Sequence, residues 1–398
     1  MTTAFSYSPY SDEVRDNPYP LYRVLRAEHP CYYNEELNLW ALSRFQDVFE
    51  VVRDPATFSS VGAITLQDNA MTAFPMIITT DPPQHTRLRG LVNRAFTPRR
   101  VAALEPHIRE ITRELIRDFL PSGSCDFVRD LSGQLPVIVI AELLGIPTED
   151  RFQFREWSNR IVAIDTRSEA SMEQATEAMI ELFAYLDEVI QERQKDPRDD
   201  LVSALCSARD GDHSLDSEEL LSVCGVLLLA GNETTANSIA SSAFHLAAHP
   251  EQRAKLLADP AIMPHAIEEL LRFDSPVQAV ARITTREVEL HGRRIPKGGR
   301  IGIIFGSALH DEREYDEPDQ LDVTRDIERT LAFGNGIHYC LGAALGRLET
   351  RIAIEELLRV LPDYEVDASG AERYSTGMIR GLARLPMTFD PDQATVPV

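Results

Sequence analysis

Residues 333–342, Phe-Gly-Asn-Gly-Ile-His-Tyr-Cys-Leu-Gly, set one cysteine and three glycines just ahead of a helical stretch. Gly334 and Gly336 allow backbone turns that a side chain would block. Amide groups near a helix N-terminus favour negative charge, so Cys340 is expected as a stabilised thiolate. Such a thiolate is a nucleophile or a metal ligand. No spacing of His and Asn partners marks a cysteine hydrolase. The plain alternative is a buried cysteine after a glycine turn.

Three further segments carry residues suited to chemistry. Ala230-Gly231-Asn232-Glu233-Thr234-Thr235 lies inside a helical pattern, although Gly and Thr are poor choices for a helix interior. A threonine hydroxyl can bond back to the i−4 carbonyl and bend the helix. The neighbouring Glu233 makes an acid–alcohol pair able to relay protons. Close helix packing at Gly231 beside a solvated Glu233 is the competing reading. In Glu268-Glu269-Leu270-Leu271-Arg272, Glu269 and Arg272 share a helix face. If exposed, that pair is worth only about 0.3–0.5 kcal/mol. His85 and Arg89 are spaced i, i+4 and point the same way, as an anion clamp or an ordinary basic face.

The ten residues 333–342 resemble the haem-binding loop of the cytochrome P450 family, F-G-x-G-x-H-x-C-x-G, and the chain is identified as a member of it on that motif. The other segments resemble the family's A-G-x-[DE]-T and E-x-x-R motifs and follow in its order. The resemblance implies a mainly α fold, a large helical part with a small β-rich part. Haem b (iron protoporphyrin IX) would lie between the long central helix and the Cys loop. Cys340 would be the iron ligand, with Ala230, Phe333, Gly334 and Gly342 beside the cofactor. His85, Arg89, Arg282 and His338 would meet the haem propionates, Arg282 lying just before a first strand. Glu233 and Thr234 would be the catalytic proton-delivery pair. Glu269, Arg272 and Arg325 would form a buried structural network. Asn335 stands where bacterial relatives often have His, a mild departure between two glycines.

The implied activity is that of a haem-thiolate monooxygenase, inserting one oxygen atom of O2 into an apolar terpenoid, steroid, lipid-like or macrolide-type molecule by hydroxylation or epoxidation. A ligand sensor, a peroxide-driven oxidase and a haem-free thiolate hydrolase are the rivals. The sequence has no phosphate-binding glycine loop after a strand and no four-Cys cluster. Electrons are therefore expected from a ferredoxin and its NAD(P)H-dependent reductase. Arg94, Arg99, Arg100, Arg347 and Arg351 are the candidate docking patch. The substrate site is expected to use residues 61–80, 160–185, 229–234, 277–281 and 377–380, with Ile77, Ile78, Leu229, Val277 and Ile379 as apolar members.

The elements that must position these groups read as mostly helical. Helices are expected over Asp12–Glu28, Arg44–Arg53, 105–119, 134–144, 149–160, 171–194, 199–207, 251–258, 261–272 and Leu341–Leu361. Another is expected from an Asp81 N-cap and Pro82 to about Ala95. Asp216–Ala248 is the longest, roughly nine turns at 3.6 residues each, with Asp216-Ser217-Glu218-Glu219 as a cap-like start. Trp40–Leu42, Val288–Leu290, 293–296 and 300–305 read as strands, with loops at 59–80 and 310–329 and short strand patterns in 363–390. One domain over 1–398 is expected, its β-rich part from about 30–60, 283–305 and 363–390, its helical part from about 81–272 and 341–361.

Composition narrows the function classes. The 398 residues carry a formal charge of −23, with 63 Asp and Glu against 40 Lys and Arg. So acidic a surface disfavours nucleic acid and anionic membranes, which need clustered positive charge. The five cysteines include no C-x-x-C pair, disfavouring zinc ribbons and dense disulfide frameworks. The polar, proline-rich first residues carry no signal-like apolar run. A cytoplasmic monomer with reduced thiols is expected.

Overall fold

The computed structural model describes residues 5–67, 76–162 and 169–394. The chain divides into two units. One comprises Met1–Pro82, Ala240–Cys340 and Val366–Leu385; the other comprises Pro83–Ile239, Leu341–Glu365 and Pro386–Val398.

The first unit is built on a five-stranded sheet, ordered Cys31–Asn34, Leu39–Leu42, Arg300–Ile304, Ala279–Thr284, Phe58–Ser59. Only the pairing of Leu39–Leu42 with Arg300–Ile304 is parallel. Leu42, Phe45, Val48, Ile295, Ile301 and Ile303 form one side of its core; Tyr22, Leu25, Ala281 and Ile304 belong to a second cluster. Each such fully buried Leu or Ile contributes about 1.5–3 kcal/mol of transfer free energy. The hairpin Val288–Leu290/Arg293–Ile295 turns at His291 and Gly292, both at positive φ.

The second unit is dominated by helices. In Glu105–Phe119, Ile108, Ile111, Thr112, Leu115, Ile116 and Phe119 are buried at helical spacing. The opposite face sends Arg109 and Arg113 to Glu356 of helix Ala343–Val360, at 2.7 and 2.9 Å. Ser124–Asp126 pairs with Pro386–Phe389. The long helix spans Ser217–Ala248. Its start is a reciprocal cap: the Asp216 carboxylate accepts from the Glu219 amide at 2.9 Å, and the Glu219 carboxylate accepts from the Asp216 amide at 3.1 Å.

The expected helices stand at nearly the expected places, with Glu105–Phe119 matched at both ends. Three expectations need correction. Asp12–Glu28 is two helices, Asp12–Asp16 and Tyr19–Glu28, because Pro18 has no N–H to continue the first and starts the second. Asp81 caps no helix. The helix begins at Gln84 after Pro83, and the Asp81 carboxylate instead accepts from Ser59 Oγ at 2.5 Å and the Ser60 amide at 3.0 Å. Ala279–Thr284 is a strand, so Arg282 sits within it rather than ahead of the first strand. Cys31–Asn34 is also a strand, paired with Leu39–Leu42 across a tight turn, within the β-rich part expected from about 30–60.

Candidate active site

The Cys340 loop is shaped by hydrogen bonds at its two ends. The Gly334 amide donates to Leu331 O at 2.9 Å, and the Cys340 amide donates to Phe333 O at 3.0 Å. Gly334 and Gly336 have φ of 68° and 71°, a region that favours glycine. At Gly336 the demand is double, because a Cβ there would stand 2.4 Å from Val52 O. Asn335 accepts from the Gly336 amide at 2.7 Å and opens the short helical turn Gly336–His338. His338 Nε2 lies 2.9 Å from Ser60 Oγ. Spacing gives no hint of Ser60.

Cys340 is the one exposed cysteine of the five, all of them among the described residues. Burial pushes the thiols of Cys31, Cys125 and Cys224 up to about 12, and that of Cys206 upward. Raised thiols of this kind hold less of the thiolate that ligation needs. Arg282 presents the opposite case, a cation kept from water. It is 5% exposed, and it donates to Ala281 O at 2.8 Å. Burial lowers its guanidinium to about 10, with Asp81 acting the other way. A buried guanidinium answered by a carbonyl and a carboxylate already engaged elsewhere suits an additional anion. An exposed sulfur donor and a buried cation are the donor set a haem with propionates requires.

On the long helix, Thr234 Oγ1 donates to Ala230 O at 2.8 Å, and Ser238 Oγ donates to Thr234 O at 2.9 Å. The back-bonding expected of Thr234 is present. Close packing at Gly231 is not: among the described residues a Cβ there would meet nothing within 4 Å beyond the helix's own adjoining backbone. Glu233 and Thr234 are half-buried and Ala230 is exposed. On the helix Gln84–Ala95, His85 is buried and Arg89 half-buried. A Cβ at Gly342 would likewise meet none of the described residues within 4 Å beyond its chain neighbours. Arg282, Phe333, Gly334, His338 and Cys340 thus belong to the first unit, and His85, Arg89, Ala230, Glu233, Thr234 and Gly342 to the second.

The E-x-x-R network stands as expected. Glu269 and Arg272 are fully buried and joined by two bonds of 2.6 and 2.8 Å. Arg325 Nε lies 3.1 Å from Glu269. Arg272 also donates to Leu309 O and Pro318 O, tying the helix to the chain that leads toward Cys340.

Several of the candidate docking arginines are paired with carboxylates. Arg94 is held by Asp210 at 2.5 Å, and Arg351 by Glu105 and Glu355 at 2.8 and 2.9 Å. Arg100 lies 3.9 Å from Asp199, and Arg99 is exposed. Among the apolar candidates, Val277 and Ile379 face each other in an antiparallel bridge. Ile77 and Ile78 lie in the turn Ile77–Thr79, and Leu229 is half-buried on the long helix. Residues 68–75 and 163–168, also expected at the substrate site, lie outside the described residues.

The sequence profile of the cytochrome P450 family matches residues 156–369. The chain is 37% identical over 386 residues to a putative cytochrome P450 123 of Mycobacterium tuberculosis, covering 96% of each. It is 40% identical over 400 residues to a vitamin D(3) 25-hydroxylase of Pseudonocardia autotrophica, covering 97% of each. The crystal structure of CYP109E1 from Bacillus megaterium in complex with testosterone superposes with a TM-score of 0.86 at 34% identity. That match covers 94% of this chain and 99% of the other. The chain belongs to the cytochrome P450 family. This cytochrome P450 has haem b as its cofactor and is a haem-thiolate monooxygenase. Among its described residues no helix is long and apolar enough to cross a membrane.

Proposed function

We propose that this cytochrome P450 hydroxylates an apolar polycyclic molecule of the steroid or secosteroid class, using electrons from a ferredoxin and an NAD(P)H-dependent reductase. Haem, when bound, supplies activation of O2 at iron. Cys340 Sγ holds the iron. Arg282 and His338, with His85 and Arg89, take the propionates; Phe333, Gly334, Ala230 and Gly342 line the cofactor. Thr234 Oγ1 keeps a proton at the relay position, anchored by the Ala230 carbonyl, and Glu233 replenishes it. The observation that carries the site assignment is Cys340 itself, the one exposed thiol beside four others that burial raises. The substrate class draws on the vitamin D(3) hydroxylase relative, the testosterone-bound neighbour and the apolar Val277–Ile379 pair.

The Glu233–Thr234 pair favours oxygen-driven turnover over the sensor and peroxide-driven readings, which do not need it. The protein is read as a cytoplasmic monomer. Arg94, Arg347 and Arg351 share the docking role with the exposed Arg99 and Arg100. Double replacement of Arg99 and Arg100 by Glu should slow reduction by ferredoxin and weaken its salt dependence. Titration of the haem protein with vitamin D3 and testosterone should move the haem absorption to the substrate-bound spin state, and turnover with ferredoxin, reductase and NADPH should yield hydroxylated product. Failure of every steroid to shift the spectrum would overturn the substrate class. In Thr234→Ala, reducing equivalents should go to peroxide; intact coupling to product would overturn the proton-relay role.

A further inference from the structure

Around Asp274 the first unit holds a buried charge cluster that none of the motifs predicts. Asp274 is 4% exposed. Its carboxylate accepts from Arg380 NH1 and Tyr19 OH, each at 2.7 Å, from His245 Nε2 at 2.8 Å and from Ser241 Oγ at 3.2 Å. Arg373 stands 3.9 Å away. Burial alone would raise the carboxyl, but Arg380 and His245 outweigh it and hold it well below the usual range. Arg380 is buried too, and also donates to Arg15 O at 2.9 Å and Asp16 O at 3.0 Å.

The ion pair lies at the end of a short backbone ladder. Arg380 N donates to Pro276 O at 2.9 Å, and Gln278 N donates to Met378 O at 2.7 Å. Val277 and Ile379 are the directly opposed residues of that ladder. Extended residues alternate faces. Gln278 and Arg380 are buried at 1% and 5%, whereas Val277 and Ile379 are half-buried. One face of the ladder is thus bolted to Asp274 and the other shows a pair of branched apolar side chains.

We propose that the Asp274–Arg380 ion pair is a specificity-determining anchor: it fixes Val277 and Ile379 as one rigid apolar wall of the substrate site. Asp274 and Arg380 are positioning residues, acting through that wall. The proposal rests on the reading that Val277 and Ile379 line the substrate site. Replacing both charges keeps the interior electrically balanced while releasing the ladder from its anchor.

Two probes of the haem protein separate the wall from the iron: imidazole, which needs only the iron, and clotrimazole, a bulky apolar azole that also needs the wall. Both are titrated by the shift of the haem absorption band. In Asp274→Asn/Arg380→Met the dissociation constant for imidazole should stay within about twofold, while that for clotrimazole rises about tenfold, since small misplacements of a positioning group are costly. Arg380→Lys, which keeps the charge, should recover most of the clotrimazole affinity. Equal dissociation constants for clotrimazole in the double variant and the parent would overturn the anchor, as would a parallel loss of both probes, which marks a role in haem retention. Val277→Ala and Ile379→Ala are read in the parent background. If neither changes clotrimazole binding, the reading of the wall fails instead of the anchor.

Discussion

Gly336 and Gly231 are glycines for opposite reasons. At Gly336 the protein itself forbids a side chain: φ is 71° and a Cβ would collide with Val52 O at 2.4 Å. At Gly231, in the interior of the long helix, a Cβ would meet no atom of the described residues within 4 Å beyond the helix's own adjoining backbone, and glycine there costs the helix about 1 kcal/mol relative to alanine. The first glycine is explained by the fold. The second is not, and it sits beside Thr234 and Glu233, where the proposed chemistry needs room. A glycine that the packing does not require is the better marker of a site.

Gly336→Ala should produce the largest effect, a destabilisation of about 3–5 kcal/mol from left-handed strain and a backbone clash, with loss of haem retention. Thermal unfolding and haem content read it. Wild-type stability in this variant would erase the distinction between the two glycines.

The same contrast extends to buried carboxyls. Glu269 is answered by Arg272 and Arg325. Glu349, on the helix Ala343–Val360, is fully buried, its Oε2 has no hydrogen-bond partner among the described residues, and burial pushes it up to about 8. Unfolded, Glu349 ionises near 4.5; folded, it keeps its proton until about pH 8. Unfolding therefore releases a proton in that window, and stability falls as pH rises through it. Glu349→Gln should flatten that slope and gain about 1–3 kcal/mol at pH 8, seen as a melting temperature less dependent on pH between 5 and 8. An unchanged slope would show that Glu349 is compensated after all.

Gly231→Ala should have the smallest effect on the fold, a gain of about 0.5–1 kcal/mol from helix propensity. Its consequence should appear in the chemistry, as altered substrate-induced spin shift in a protein with full haem content. Destabilisation together with unaltered spin shift would mean that the open space at Gly231 serves neither cofactor nor substrate.

Local pattern carried most of what the sequence revealed. The Cys340 loop, the Asp216 cap, the Glu105–Phe119 helix and the Glu269–Arg272 pair are all set by residues within a few positions of one another. Arg325 was reached only through the family resemblance. What stayed hidden was assembled by the fold from distant segments. Asp274 and Arg380 are 106 residues apart, and Ser60 and His338 are 278 apart. For Ala279–Thr284 its neighbours, not its own alternation, make the strand: it pairs on both sides, with Phe58–Ser59 and Arg300–Ile304. At Asp81 a cap and a loop staple look alike in sequence until Ser59 and Ser60 are placed beside it.

The central claim is that Cys340 is the iron ligand, and the carbon monoxide difference spectrum of the reduced haem protein tests it most directly. The parent chain should show a band far to the red of a His-ligated haem, and Cys340→Ser should fold and bind haem without that band. A red-shifted band that survives in Cys340→Ser would contradict the assignment.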